Sequence, residues 1–243
     1  MRIRQPLNQK TFLLALLCLL VAAAVFFPRL HNLDGYVTVD EPDWLMFASN
    51  YYYLFEEGDY AETLQIYHPG VTNLWIGTFV IQRYFPDNRD IADRNYQSGL
   101  RHEEDLRAYG IEPLALLWRM RLVTLAVNTL LLVIAFALAQ KLFGLWPAFA
   151  GFLLIAFDPY HMGLTRLHQI DGLLSGFFLV AVLAMLVFIF RGFNYAYLAI
   201  AGVAAGLAFL TKSPALFLLP ALGGLLALSF VLALVETRKW FDG

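Results

Sequence analysis

Residues 172–190 read GLLSGFFLVAVLAMLVFIF, nineteen positions without a charged side chain. A helix of that length is about 29 Å long at 1.5 Å per residue, which matches the roughly 30 Å hydrocarbon core of a bilayer. A helix on a soluble domain is apolar along one stripe and polar on the other side. This stretch is apolar all round, so its solvent is lipid. Five further apolar runs lie at 11–27, 114–138, 142–157, 196–210 and 215–235. The expected fold is therefore an all-α integral membrane protein of about six transmembrane helices. The run 142–157 is the shortest and contains Pro147. The run 196–210 is rich in Ala and Gly, and its Gly202 and Gly206 form a small-xxx-small pair of the kind that lets helix backbones pack closely.

The composition agrees. Hydrophobic residues make up 60% of the 243 positions and charged ones 15%, with mean hydropathy +0.61, where soluble domains carry about 25% charged residues. The single cysteine, Cys18, excludes an internal disulfide framework and a cysteine zinc cluster. The net charge of −2 gives no basic surface for nucleic acid. A soluble enzyme, a nucleic-acid binder and a secreted disulfide scaffold are all excluded.

Basic residues orient the spans. Arg2, Arg4 and Lys10 precede the first run, and six crossings then place Lys141, Arg191, Arg238 and Lys239 on the same side. Both termini are expected in the cytoplasm, and Trp118, Trp146 and Trp240 fall at span ends as an interfacial belt. The basic start, the apolar run and Ala22-Ala23-Ala24 also fit a cleavable signal peptide; the first run is read as a retained anchor.

Between the first two spans lies a long segment, 28–113, expected outside. It holds fifteen of the 19 acidic residues and six of the 17 basic ones. Its acidity disfavours anionic lipid and tolerates cations or neutral sugars. Two stretches in it, 43–57 and 71–85, read as helices too short to span. Both are expected as interfacial helices on the outer leaflet. Pro42 suits the first turn of the former. The chain is otherwise treated as one transmembrane domain.

The segment carries Thr38-Val39-Asp40-Glu41-Pro42 and then Tyr67-His68-Pro69-Gly70-Val71. Arg166 and Asp171 follow in the next outer loop, 158–171. Gly206-Leu207-Ala208-Phe209-Leu210-Thr211-Lys212 closes the fifth span. These four elements, in this order and all on the outer side, resemble the polyprenyl-phosphate-dependent glycosyltransferases of the GT-C fold, a group that includes protein O-mannosyltransferases and aminoarabinose transferases. The match is to the family's Asp-Glu motif, its His-Pro-Pro-Leu element, its second outer loop and its Gly-x-Ala-x-Leu-Thr-Lys span end. Gly70 stands where the family has a second Pro. Family members usually continue through further spans, so the chain is expected to correspond to their N-terminal module.

The resemblance implies transfer of a sugar from a polyprenyl-phosphate donor to an acceptor at the outer face of the plasma or inner membrane of a prokaryote, with inversion. Asp40, Glu41 and Asp171 are then the catalytic carboxylates, with Asp40 as the base. A carboxylate partly desolvated at the membrane face has its pKa raised. Arg166 and Lys212 bind the donor phosphate, and His68 positions substrate. Plain structural readings stand beside these: helix capping for Asp40 and Glu41, snorkelling for Lys212, pairing of Arg166 with Asp158 or Asp171, and a helix-terminal charge for Asp171. Arg119 and Arg121 either snorkel or add positive potential near a donor phosphate. Tyr51-Tyr52-Tyr53 either stacks on sugar or anchors at the membrane surface. His68, His161 and His168 leave a divalent metal open without a zinc-type spacing. The competing function is a non-catalytic accessory or scaffold subunit derived from the same family, with the lipid bilayer and membrane partner subunits as its partners.

Overall fold

The structure, a computed structural model, describes the backbone of residues 9–66, 68–92 and 99–241. Arg2, Arg4 and Tyr67 lie outside the described residues, as do the side chains of Arg238, Lys239 and Trp240. No strand occurs among the described residues. The described residues form ten α-helices: α1 Gln9–Leu30, α2 Glu41–Glu57, α3 Val71–Tyr84, α4 Gly99–Ala108, α5 Pro113–Phe143, α6 Leu145–Phe157, α7 Pro159–Arg166, α8 Ile170–Phe190, α9 Tyr195–Thr211 and α10 Leu218–Phe241.

Among the described residues four helical segments are long and apolar enough to cross a bilayer: Gln9–Leu30, Pro113–Phe143, Ile170–Phe190 and Ser213–Val231. The protein is an integral membrane protein. The other two apolar runs form the shorter helices α6, of 13 residues, and α9, of 17. At about 20 Å, α6 is shorter than the roughly 30 Å core, while α9, at about 26 Å, is at the lower end of the spanning range of about 17–25 residues. The boundary between the second and third runs also differs from the sequence reading. Helix α5 continues to Phe143, and Gly144, at φ +89°, ends it in a conformation that side-chain-bearing residues rarely adopt. Pro147 falls in the first turn of α6, where its missing N–H costs no hydrogen bond.

The apolar core divides in two. The larger part joins α1, α5, α6, α8 and α9 through residues such as Val21, Phe136, Phe177 and Ala208. The smaller gathers Trp44, Leu45, Ala48 and Tyr52 of α2 and Leu74, Val80 and Ile81 of α3. These meet Leu116, Leu117 and Met120 at the start of α5. The apolar sides of the two short helices thus face each other and α5. Helix α5 has 31 residues, about 46 Å, and runs through both parts.

Lys141 and Arg191 lie at one end of this bundle, where Arg191 donates to the Leu142 carbonyl at 3.1 Å. Asp171, twenty residues before Arg191 on the continuous helix α8, starts the opposite end. The Gly202/Gly206 pair is not used for packing among the described residues: a methyl group added at either would meet open space.

Candidate functional site

Four elements converge at the Asp171 end. A cavity of about 290 Å³ is lined by Asp40, Asp43, Trp44 and Phe47 from α2 and its cap, and by Ile66 and His68 from the link to α3. Gln169, Ile170 and Asp171 line it from the start of α8, and Lys212 from the end of α9. The volume is at the lower limit of ordinary small-molecule sites, about 300–1,000 Å³.

Asp40 occupies the N-cap position of α2, yet its side chain makes no cap hydrogen bond. Capping does not occupy this carboxylate. It is exposed, where the sequence reading had it partly desolvated. Asp43, one turn further, also lines the cavity and accepts from the Gly99 N–H at 3.0 Å, which fastens α4 to α2.

Glu41 goes elsewhere. Its side chain is fully buried and accepts five hydrogen bonds. Oε1 takes Arg121 Nε at 2.7 Å and the His168 N–H at 3.0 Å. Oε2 takes Arg121 Nη2 at 2.5 Å, the Thr38 N–H at 3.0 Å and the Thr38 hydroxyl at 2.9 Å. Burial alone would raise its pKa, but the hydrogen bonds from Arg121, Thr38 and His168 together with the Arg121 charge hold it below the usual carboxylate range. Glu41 does not line the cavity; it locks the 38–41 loop to α5 and to the start of α8. Arg121 neither snorkels nor faces the cavity: its guanidinium also donates to the carbonyls of Leu33 and Tyr36. Arg119 lies over aromatic rings, 4.7 Å from the Tyr84 centroid and 5.5 Å from that of Phe85.

Lys212 Nζ donates to Asp171 Oδ1 at 2.7 Å. Its approach depends on Gly70. That residue precedes α3 at φ +61°, donates its N–H to the Thr211 carbonyl at 3.1 Å, and stands against the Trp44 ring. The Thr72 and Thr211 hydroxyls bond at 2.7 Å beside it. A proline at 70 could adopt neither that φ nor donate that bond, which accounts physically for the departure from the family's Pro-Pro pattern.

Arg166 is not among the cavity residues. Its Nη2 donates to the carbonyls of His31 and Asn32 at 2.7 and 2.5 Å. Asp158 instead caps α7 by accepting from the His161 N–H at 2.7 Å. The histidines scatter: His68 lines the cavity, and His161 Nδ1 lies 3.3 Å from Arg29. His168 Nδ1 bonds the Thr124 hydroxyl at 3.0 Å. Burial, offset in part by Glu41 and reinforced by Arg121, pushes His168 down to about 4. Among the described residues no three His, Cys, Asp or Glu side chains gather as a metal site.

Sequence reasoning passed over Asp43, Trp44, Phe47 and Gln169. The first three follow Asp40 at spacings of three, four and seven, which put them on one face of α2; Gln169 directly precedes the helix that Asp171 opens. Arg29 was also missed. It is fully buried and ties α1 to α6 and α7 through the Ala156 carbonyl at 3.0 Å and the Thr165 hydroxyl at 2.8 Å.

An all-helical membrane bundle with a polar cavity at one end is the class that this fold and site define. A family profile described as dolichyl-phosphate-mannose-protein mannosyltransferase matches residues 115–242, a little over half of the chain, and the chain belongs to that family, of the GT-C type of membrane glycosyltransferase. The matched region includes Arg121, Arg166, Asp171 and Lys212, while Asp40, Glu41 and His68 precede it. No curated protein and no solved structure matches the chain.

Proposed function

We propose that this chain transfers a glycosyl group from a polyprenyl-phosphate donor to an acceptor hydroxyl at the non-cytoplasmic face of the membrane. The supporting observation is the convergence of Asp40, His68, Asp171 and Lys212 from separate elements on one cavity. Asp40, uncapped and exposed, accepts the acceptor's hydroxyl proton as its oxygen attacks the anomeric carbon from the face opposite the phosphate. The anomeric C–O bond breaks, and its electron pair leaves on the polyprenyl phosphate. Lys212 neutralises that phosphate, and Asp171 holds the ammonium in place until the donor arrives. His68 and Gln169 position the sugar. Glu41 acts at one remove, by fixing the loop that presents Asp40.

The direct test is transfer of radiolabelled sugar from a polyprenyl-phosphate donor in membranes containing the full chain. The wild type is expected to transfer and Asp40→Asn to lose transfer while still inserting. Activity unchanged in Asp40→Asn removes that residue from the mechanism.

A further inference from the structure

Away from the cavity, α1 and α5 border a groove of about 780 Å³. The small side chains of Ala15, Ala22 and Ala23 on α1 and of Ala126 on α5 leave the depression, while Phe27 and Leu130 on its border are 66% and 59% exposed. The lining is apolar apart from Cys18 and Thr129, and the Thr129 hydroxyl is spent on the Leu125 carbonyl at 2.8 Å. Along α1 the groove runs from Ala15 to Phe27, about 18 Å at 1.5 Å per residue. That is close to the depth of one leaflet, half of a roughly 30 Å core. A spanning partner helix needs contact over the full depth; one acyl chain needs only this half.

The hydrogen bonds of α5 fix which half it is. The Thr124 hydroxyl bonds His168 at 3.0 Å and Asn128 donates to the Thr165 carbonyl at 3.0 Å, so 124–128 stands level with the start of α8, at the Asp171 end. Arg119 shares the stripe of α5 that Ala126 and Leu130 occupy, and stands about 10 Å nearer the membrane surface than Ala126. Its neighbour Trp118 is 36% exposed, as an aromatic at headgroup level is. The Arg119 guanidinium rests on the Tyr84 and Phe85 rings, and Arg83 lies 5.3 Å from the Tyr84 centroid, so one aromatic pair holds both cations. Arg119 Nε is buried without a hydrogen-bond partner. Neither arginine forms an ion pair among the described residues, and their acidic neighbours in sequence, Asp87 and Glu112, pair with neither. The segment 28–113 is acidic as a whole; at this spot its sign reverses. Arg121, two residues on, leaves the helix on the other side to reach Glu41, and neither Arg83 nor Arg119 lines the cavity.

We propose that the groove and the arginine pair bind one anionic phospholipid, with an acyl chain between α1 and α5 and its phosphodiester on Arg119 and Arg83. The apolar lining holds the chain, and the two guanidinium groups select the charge of the headgroup. Such a lipid ties α3 to α1 and α5 on the side of α5 away from the Glu41–Arg121 pair. Its binding does not rest on the proposed transfer activity.

The experiment uses the full chain in detergent micelles and native mass spectrometry, with phosphatidylglycerol and phosphatidylcholine of identical acyl chains. Phosphatidylglycerol is expected to bind as one copy per chain, at least about tenfold more tightly than phosphatidylcholine. Arg119→Gln should lose about fivefold of that preference. Ala22→Phe fills the groove and leaves both arginines in place, and should weaken both lipids by at least about tenfold. Equal affinity of the wild type for the two lipids overturns the proposal, as does undiminished binding by a folded variant of either kind. Displacement of the phosphatidylglycerol by equimolar polyprenyl phosphate also overturns it, because the groove then belongs to a glycosyl donor's chain. So does a Cys18–Cys18 disulfide between two chains oxidised in membranes, because a second copy then fills the groove. Transfer activity does not enter the readout, so its absence sinks only the proposed function.

Discussion

Glu41 and Arg121 form an ion pair with side-chain exposures of 0% and 2%, and every lone pair of the carboxylate is engaged. Asp171 and Lys212 pair at 2.7 Å but stay 43% and 22% exposed. The two acid–base pairs belong to one end of the molecule, and they differ in what opening them would cost. Separating the first strands a charge in a dry interior, where removing one partner costs about 3–5 kcal/mol. Separating the second returns both groups to water, and such pairs contribute about 0–1 kcal/mol. The first pair is suited to hold a loop, the second to exchange partners with an incoming phosphate. Asp40 and Glu41, adjacent in sequence, thus serve the cavity and the framework respectively.

The sharpest way to break this contrast is to remove one partner of the buried pair. Arg121→Ala should cost about 3–5 kcal/mol and leave little folded protein in detergent, as read by fluorescence-detected size exclusion. A monodisperse variant with the wild-type melting temperature would mean the pair is not structural. Next comes Asp40→Asn, expected to lower transfer by about 10²–10⁴-fold with melting temperature unchanged. Gly70→Pro comes third: it denies both the positive φ and the N–H bond to Thr211, and should cost about 3 kcal/mol while detaching the end of α9. Loss of transfer without a shift in melting temperature would place Gly70's role elsewhere.

Lys212→Ala is the smallest in stability, within about 1 kcal/mol, but should raise the donor KM more than it lowers kcat. An unchanged KM would leave Lys212 as a snorkelling residue. Acid titration separates the two regions again. The depressed pKa of Glu41 means its stabilisation is complete above the ordinary carboxylate value and is lost as pH falls through the lower folded value. His168 is held neutral to about 4 against an ordinary 6.5, so its contribution is full above 6.5 and declines as pH falls toward 4. The wild-type melting temperature should therefore drop between pH 6.5 and 4, and His168→Gln should flatten that slope. A flat wild-type profile would refute the linkage.

The apolar run of α8 and the order of the four motifs were readable because each is local: a length, a period, a short string. The partner of Glu41 was not, because Arg121 lies eighty positions away and no pattern joins them. Arg166 looked like a cavity residue through its place in the second outer loop, but the turn into α8 carries it to the His31 and Asn32 carbonyls instead. Pro42 gave the start of α2 within two residues, but not that Asp40 would sit there at φ −85° and ψ −21°, in the helical region rather than the extended one of a capping residue. The faces of α2 and α3 carried an apolar signal that did not say whether lipid or protein would cover them; α2 packs on α3 and α4, and α3 on α5.

The bond from Gly70 to Thr211 spans most of the chain, and it sets an order of assembly. During synthesis the carboxylates of the cavity emerge first, and Asp171 enters the membrane boundary well before its counter-ion has been made. Until α9 has been inserted and its end has docked on α3, the nascent protein carries a half-walled acidic recess. The last piece of the site to be translated is also the one that brings Lys212, the counter-ion of Asp171.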